Sequence, residues 1–325
     1  MFHKVVQLSF NSRTSLFLFN QKKVNYIASL NKSSIATFST FRNSLDNNNS
    51  INKNINNSSN IVDQHHYKSN NLSFNIKRTM STASNSTAGV VAEGTTIFKG
   101  HDQIQIDLMK EECIVVDRDD KPLRPGSKKE CHLMENISKG LLHRAFSIFL
   151  FNEEGKLLLQ RRALEKITFP GYWTNTVCSH PLWLENELIE EDAKGVRIAA
   201  QRKLKHELGV PFEQAPIDAF TFMTKIIYVS PSVEDAQWGE HEIDHIVVIK
   251  RKIDVTPEPN EVMDYKYVSW EELQEMFAAA DRKEIKLTPW FRLIAENHLE
   301  KWWKDLDNVK QHVEPSDKIH RYCEC

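Results

Sequence analysis

The stretch from 175 to 181 carries a thiol and an imidazole two positions apart, at Cys178 and His180. If the stretch is extended, both side chains leave the same face, because side chains alternate along a strand. The turn signal Pro170-Gly171 just upstream favours that geometry. A reactive cysteine delivered with a ligand-type histidine indicates a site. The alternative is a buried, inert cysteine beside a hydrogen-bonded histidine.

A set of nitrogen and oxygen ligands for a metal ion can be assembled from separated segments. Glu240 and Glu242 project to one side if residues 238–244 are extended, while His241 and His245 have the opposite parity and are left out. Three imidazoles and two carboxylates suit Mn²⁺, Mg²⁺ or Zn²⁺ better than they suit a thiolate-rich zinc site. The candidate ligands are His132, His143, His180, Glu240 and Glu242. Spacing alone does not show convergence, so the alternative for each histidine is a surface or packing role.

Charged side chains in two other segments have the features of a diphosphate site. Arg161, Arg162 and Lys166 form a basic group, and arginine binds phosphate oxygens in a bidentate way. Glu207 lies near the end of a predicted helix, four positions after Lys203. The alternatives are a surface turn for the basic group and a solvated helix face for the Lys203–Glu207 pair.

Composition limits the class of protein. The chain has 325 residues and a formal net charge of −2, which gives no reason to expect a nucleic-acid partner. Its five cysteines are irregularly spaced and include no zinc-type C-x-x-C pair, which favours reduced thiols inside the cell. No apolar run is long enough to predict a membrane span. The tail carrying Cys323 and Cys325 is not a C-a-a-X lipidation ending, and its role stays open.

The first 92 residues differ from the rest and are predicted to be a disordered leader. They contain only two acidic residues, Asp46 and Asp63, and they are rich in Asn and Ser. The acid-free, basic and Ser-rich first 45 residues are typical of a transit peptide, which predicts a mitochondrial location. The alternative is plain disorder in a cytoplasmic protein, and Met80 offers an alternative start. The folded domain is predicted over 93–325.

The remaining segments must supply the elements that position these residues. Apolar runs predict strands over 113–117, 141–151, 156–161, 221–229 and 243–250, with 141–161 as a hairpin and 128–139 as loop or short helix. A helix is predicted over 190–210, where apolar residues recur every fourth position before Gly209. Further helices are predicted over 270–280 and 289–306, each after a Ser or Thr cap. This order predicts an α/β sandwich with helices covering a mixed sheet.

From about residue 105 to 322 the chain resembles the isopentenyl-diphosphate delta-isomerase family of the Nudix fold. The matching motifs occupy 130–133, 142–146, 157–161, 168–171, 173–181, 238–244, 264–265 and 288–291, in the family's order. One departure lies in the helix, where a Nudix hydrolase should carry Arg-Glu-apolar-x-Glu-Glu-x-Gly. At 202–209 only Glu207 of that acidic cluster is present. Because hydrolases use the cluster to hold activating metals, the departure favours the isomerase.

The resemblance implies a reversible 1,3-allylic shift that converts isopentenyl diphosphate to dimethylallyl diphosphate in isoprenoid biosynthesis. A proton is added to the alkene and another is removed from the allylic carbon, so two acid–base groups are needed on opposite sides of the hydrocarbon. The family's motifs give these roles to Cys178 and Glu242, with Tyr228 helping to deliver the proton near Glu242. Trp290 matches an aromatic residue whose π face shields the cation-like intermediate.

The resemblance also implies cofactors and substrate contacts. The three histidines and two glutamates named above would hold one divalent ion, Mn²⁺, Mg²⁺ or Zn²⁺, while Mg²⁺ would bridge Glu207 and the substrate diphosphate. The basic positions on the diphosphate side are Lys128, Arg162, Lys166 and Lys203. The expected partner is a small prenyl diphosphate bound by a monomer, without nucleic acid.

Two rival functions stay open. A Nudix pyrophosphohydrolase would release phosphate from its substrate, whereas an isomerase leaves the diphosphate intact. A catalytically inactive metal-binding or scaffolding domain would not need the complete set of Cys178, Glu242, Tyr228 and Trp290.

Overall fold

The computed structural model describes residues 97–323. From Gly100 onward these residues belong to one compact unit, and 97–99 form part of a turn. The predicted leader over 1–92, the start at Met80 and the domain boundary at 93 lie outside the described residues and stay predictions. None of the described helices is long and apolar enough to cross a membrane.

Ten strands and seven α-helices are described in this part of the chain. The strands are β1 Glu112–Val116, β2 Pro122–Ser127, β3 His143–Phe151, β4 Leu157–Arg162, β5 Trp173–Thr174, β6 Val177–Ser179, β7 Thr221–Pro231, β8 Gly239–Lys250, β9 Val262–Val268 and β10 Ile319–Arg321. The helices are α1 Gln103–Leu108, α2 Lys128–His132, α3 Met134–Ile137, α4 Lys194–Leu208, α5 Trp270–Asp281, α6 Pro289–Ile294 and α7 Glu300–Trp303.

The strands form one mixed sheet. Its main path runs β10-β7-β8-β3-β1-β2, with β3 and β8 parallel at the centre and β7 antiparallel to β8. A branch joins β4 to β5 and β9, and β6 pairs with the middle of β3. The predicted mixed sheet flanked by helices is therefore confirmed.

Alternation along β3 separates two cores on opposite faces of the sheet. Phe149 and Phe151 pack with the carboxyl-terminal helices, whereas Phe146, Ile148 and Leu150 pack with α4. Each of these side chains is fully buried, and full burial of such a residue stabilises the fold by about 1.5–3 kcal/mol. Because His143 has the parity of Phe149, it lies on the face that the carboxyl-terminal helices cover.

Helix α4 follows its apolar repeat. Val196, Ala200, Leu204 and Leu208 are all buried against the sheet, as the four-residue spacing predicts. The helix is shorter than the predicted 190–210 and is preceded by a 3₁₀ turn at Glu191–Ala193. It ends at Gly209, where φ is +67° and a Cβ would lie 2.4 Å from the Thr256 carbonyl oxygen.

The predicted hairpin over 141–161 is wrong for most of its length. β3 and β4 share only the pair Phe151 and Leu157 beside the turn. Beyond that pair β3 bonds to β8 and β6, while β4 bonds to β9 and β5. The short turn is local and visible in the sequence, but the strand partners come from distant segments.

The carboxyl-terminal region also differs from its prediction. The single helix expected over 289–306 is interrupted, because a π-helical turn at Ala295–Leu299 separates α6 from α7. Ser269 caps α5 in a capping box, but Thr288 makes no capping bond and its hydroxyl contacts the Thr174 hydroxyl at 2.7 Å. Strands β2, β9 and β10 were not predicted, since β2 contains Pro122 and Pro125 and β9 has a largely exposed edge.

The described cysteines differ in oxidation state. Cys113, Cys131 and Cys178 have free thiols, and the first two are fully buried with their side chains in contact. Cys323 is disulfide-bonded, so the expectation of reduced thiols is wrong at that position.

Candidate active site

Five buried side chains bring ligand atoms within 4.8 Å of one another. Two of these residues are neighbours across paired strands, because His143 at the beginning of β3 is paired with Glu242 on β8. Glu240 lies two residues earlier on the same face of β8. His132 ends α2, and His180 directly follows β6. The five predicted ligands therefore converge in space.

The contacts inside the cluster join imidazole to carboxylate. His132 Nε2 lies 2.9 Å from Glu240 Oε2, and His180 Nε2 lies 2.8 Å from Glu242 Oε1. His132 directs its Nε2 inward because its Nδ1 is bonded to the Lys128 carbonyl at 2.7 Å. Such an outer hydrogen bond fixes the orientation and tautomer of a metal-ligating histidine.

The donor atoms fit a divalent cation. Neither ring nitrogen of His143 has a hydrogen-bond partner, although Nε2 lies 3.4 Å from Glu242 Oε1. The three imidazole rings lie with their centroids 4.9 Å apart in each pair. Burial and the other two histidines hold the pKa of His180 well below its ordinary value, which leaves a lone pair for a metal. Buried donors of this kind are expected to be satisfied by a ligand.

A thiol and a carboxylate line the cavity next to this cluster. Tyr228 donates its hydroxyl hydrogen to Glu242 Oε2 at 2.5 Å. Burial opposes ionisation of Glu242, but the nearby His143 imidazole and the hydrogen bond from the Tyr228 hydroxyl outweigh it and lower the pKa of Glu242. Burial and the carboxyl groups of Asp244 and Glu242 raise the pKa of the Cys178 thiol well above its ordinary value. A protonated thiol and an ionised carboxylate thus face one space.

Trp290 covers the cavity from the start of α6 and is itself buried. Its ring centroid lies 6.3 Å from that of Tyr228 and 5.1 Å from that of Phe169, to which it is nearly perpendicular. The guanidinium carbon of Arg162 lies 5.9 Å from the Trp290 ring centroid. This geometry is within the range of cation–π attraction.

The same cavity is also lined by a group of basic side chains, Lys128, Arg162, Lys166 and Lys203, which we call its basic half. The site residues that the family resemblance assigned, except His143, all line one cavity, and they include Lys128, Arg162, Lys166, Lys203 and Glu207. Lys203 Nζ lies 3.1 Å from Glu207 Oε1, and Gln160 donates to Glu207 Oε2 at 2.9 Å. The cavity therefore combines acid–base and aromatic side chains with a basic group that suits an anion.

Some cations of this half already have protein partners. Arg162 donates to the carbonyls of Thr168 and Phe169, and Lys166 pairs with the Glu261 carboxylate. Arg161, which belonged to the predicted basic group, donates to the Gly171 carbonyl and does not line the cavity. His241 and His245, which parity excluded, bond to the Leu141 carbonyl and to Asp120 outside the ligand cluster.

Several cavity residues were not predicted from the sequence. Gln105 lies in α1, Met109 directly follows that helix, and Ser179 is the last residue of β6. Glu261 touches the basic half through Lys166. For Ser179 its place inside the Cys178–His180 motif was a usable signal. Glu261 gave none, because it follows a polar loop and resembles any surface acid.

Comparison with known proteins shows the family to which the chain is similar. Residues 141–291 match the NUDIX domain family. An isopentenyl-diphosphate Delta-isomerase from Dictyostelium discoideum is 70% identical over 232 residues, which cover 71% of this chain and 97% of that protein. The isopentenyl-diphosphate delta-isomerase of Candida albicans is 52% identical over 252 residues, covering 72% of this chain and 87% of that protein. Isopentenyl-diphosphate Delta-isomerase 1 of Bos taurus is 53% identical over 220 residues, covering 68% of this chain and 96% of that protein.

The match covers 87–97% of the length of each of these relatives. The family resemblance found in the sequence motifs is confirmed by their identity and coverage. The chain belongs to the isopentenyl-diphosphate delta-isomerase family, with a Nudix-type fold.

Proposed function

We propose that the protein catalyses the reversible conversion of isopentenyl diphosphate to dimethylallyl diphosphate. The observation that carries this proposal is one cavity lined by two chemically different groups of side chains. One group is Cys178, Glu242 and Trp290, and the other is four basic side chains with Glu207. A prenyl diphosphate has the matching division into an uncharged alkene and a polyanion.

The reaction needs one proton to reach an alkene carbon and another to leave the allylic carbon. In our proposal Cys178 and Glu242 perform these two transfers, and their roles exchange when the reaction runs backwards. The Tyr228 hydroxyl, bonded to Glu242 at 2.5 Å, helps that carboxyl group to move its proton. The pKa shifts described above support a thiol and a carboxylate as the resting forms.

The five-residue cluster is proposed to hold one divalent ion, Mn²⁺, Mg²⁺ or Zn²⁺. When bound, such an ion supplies positive charge that lowers the proton affinity of Glu242. His132, His143, His180 and Glu240 complete the ligand set and fix the carboxylate of Glu242 in place. The chain's own contribution is to hold that carboxylate in a dry, oriented position beside the substrate.

The basic half is proposed to bind the diphosphate. Lys128, Arg162, Lys166 and Lys203 would donate charge-assisted hydrogen bonds to its oxygens. Glu207 would hold a substrate-bound Mg²⁺, which commonly binds proteins through one or two carboxylates together with substrate phosphates. Helix α4 positions Lys203 and Glu207 one turn apart, so that both face the cavity.

Product analysis separates this function from its rivals. Purified protein with isopentenyl diphosphate, Mg²⁺ and a second divalent ion should form dimethylallyl diphosphate, and ³¹P NMR should show both phosphorus atoms retained. Release of inorganic phosphate would favour a pyrophosphohydrolase. No turnover in protein that binds its metal and is folded would favour an inactive binding domain.

Metal binding to the cluster should release a proton below about pH 9. Burial lowers the pKa of His143, but the negative charges of Cys131, Glu242 and Glu240 outweigh it and raise the pKa to about 9. His143 is therefore protonated at neutral pH and must lose that proton to bind a metal. The apparent affinity should rise roughly tenfold per pH unit and level off above the pKa. Calorimetry in buffers of different ionisation enthalpy measures the proton, and its absence would contradict the assignment of His143.

Substitution of Trp290 should distinguish cation shielding from packing. A cation-like intermediate offers little to hydrogen-bond, so a π face stabilises it, by about 2 kcal/mol in a dry site. Trp290→Phe should retain part of the rate, and Trp290→Leu should lose roughly 30-fold in kcat with little change in KM. A cationic ammonium analogue should bind the wild type more tightly than the folded leucine variant. Equal affinity for the analogue would leave Trp290 with a packing role.

The location and the monomeric state are also proposals. The composition of residues 1–92 supports import into mitochondria, whereas a product beginning at Met80 would stay in the cytoplasm. A fluorescent fusion of 1–92 should reach mitochondria, and a full-length fusion starting at Met80 should not. A diffuse cytosolic signal from both would reduce the leader to a disordered segment.

Light scattering of the purified chain should give the mass of one copy.

A further inference from the structure

One buried carboxylate contacts two lining residues of the cavity, Lys166 and Gln105, and has no role in the proposed reaction. Glu261, directly before β9, is only 3% exposed. Its Oε2 accepts a hydrogen bond from Lys166 Nζ at 2.5 Å, and its Oε1 accepts one from Gln105 Nε2 at 3.3 Å. Both oxygens therefore have protein donors, and one of these donors is a lysine proposed to bind the diphosphate.

The backbone around Glu261 is held against the end of helix α4. The Thr256 amide donates to the Leu208 carbonyl at 2.8 Å, and the Glu258 amide donates to the Glu207 carbonyl at 2.9 Å. Burial favours the neutral acid, but the charges of Lys166, Lys203 and Lys128 hold the pKa of Glu261 far below its usual value. Glu261 is thus a fixed negative charge among three of the four cations of the basic half.

The charges of this half have a consequence for the anion that it accepts. Its four cations are opposed by two carboxylates, those of Glu207 and Glu261. A free diphosphate brings several negative charges, of which Mg²⁺ cancels about two when the complex forms. Like charges in a buried site repel strongly, because little solvent screens them. A diphosphate without its metal therefore meets repulsion that the magnesium complex largely avoids.

We propose that Glu261 determines specificity in this half of the cavity. Its carboxylate occupies Lys166 and repels metal-free diphosphate, so that the site selects the magnesium complex. The diphosphate takes Lys166 from Glu261, and Mg²⁺ offsets the remaining repulsion between the two anions. This inference rests on the proposed function, since it requires that the basic half receives the diphosphate of the substrate.

Calorimetric binding of inorganic pyrophosphate to the metal-loaded holoenzyme at pH 7 tests the inference. The quantity measured is the ratio of the Kd without Mg²⁺ to the Kd with Mg²⁺. Glu261→Gln should lower this ratio roughly tenfold relative to wild type through tighter metal-free binding, with the magnesium-complex Kd nearly unchanged. Burial lowers the pKa of Lys166 to about 8 and the Glu261 charge raises it, so the ratio is measured again at pH 6 to control for a loss of charge on Lys166 in the glutamine variant. Glu261→Asp should restore most of the wild-type ratio.

The matched control is Glu165→Gln, which removes the same charge from an exposed neighbour of Lys166 and should leave the ratio unchanged. An unchanged ratio in folded Glu261→Gln would overturn the role of Glu261 and leave the proposed function intact. A fall caused by weaker binding of the magnesium complex would make Glu261 a metal ligand and would also overturn it. Failure of wild type to bind magnesium pyrophosphate would count against the proposed function itself.

Discussion

Cys178→Ala should lose nearly all isomerisation while it keeps its metal. The thiol is proposed to exchange a proton with the substrate carbon, and positioned acid–base groups commonly contribute roughly 10²–10⁴-fold. Because Cys178 is not among the five clustered ligands, metal content should remain near that of the wild type. The loss should fall on kcat, with KM for isopentenyl diphosphate changed little, since the diphosphate contacts lie in the other half of the cavity.

Two comparisons make this prediction specific. Cys178→Ser keeps a side chain of similar size but replaces the thiol with a hydroxyl, which is a weaker acid. If the thiol transfers a proton, this variant should be nearly as inactive as the alanine variant. Cys113→Ala removes a fully buried thiol outside the cavity and should keep the rate of the wild type as long as it folds. Full activity of purified Cys178→Ala would remove Cys178 from the reaction.

Glu242→Gln should lower the isomerisation rate at least as much as Cys178→Ala does, because the Glu242 side chain has two proposed roles. It is a ligand of the clustered metal site, and it is the carboxyl group that Tyr228 contacts. Glu240→Gln is the matched comparison, since Glu240 shares the ligand site but not the contact with Tyr228. Both variants should bind the divalent ion more weakly than wild type, as measured by metal analysis and calorimetry.

The isomerisation rates of Glu240→Gln and Glu242→Gln should differ when metal is supplied in excess. Glu240→Gln should recover much of its rate at saturating metal, whereas Glu242→Gln should stay roughly 10³-fold below wild type, because its amide cannot accept a proton. Equal recovery of both variants would restrict Glu242 to metal binding. A thermal unfolding curve for each protein, with and without metal, controls for loss of the fold.

The sequence predicted the types of residue in the site better than their arrangement. Cys178 and His180 were visible as a local pair, and Glu240 and Glu242 followed from strand alternation. What brings them together is the parallel pairing of β3 with β8, which sets His143 opposite Glu242. No local pattern encodes that long-range register, so the family motifs were needed to join the segments.

The errors in the fold have the same origin. The hairpin over 141–161 was inferred from a short turn, but β4 gains its hydrogen bonds from β9 instead. Helix α4 was predicted because its stripe of apolar residues is a local property. Glu261 was missed because its partners, Lys166 and Gln105, lie 95 and 156 residues away in the chain. Local chemistry could be predicted, whereas strand partners and buried ion pairs depend on the completed sheet.

The central claim is that Cys178 and Glu242 exchange protons with carbon atoms of an intact prenyl diphosphate. Turnover of isopentenyl diphosphate in deuterated water, followed by NMR of the product, tests it most directly. Wild type should place deuterium in a methyl group of dimethylallyl diphosphate without releasing phosphate. Cys178→Ala should form almost no product and should leave the recovered substrate free of deuterium. A wild-type product without deuterium, or rapid exchange in the alanine variant, would contradict the account.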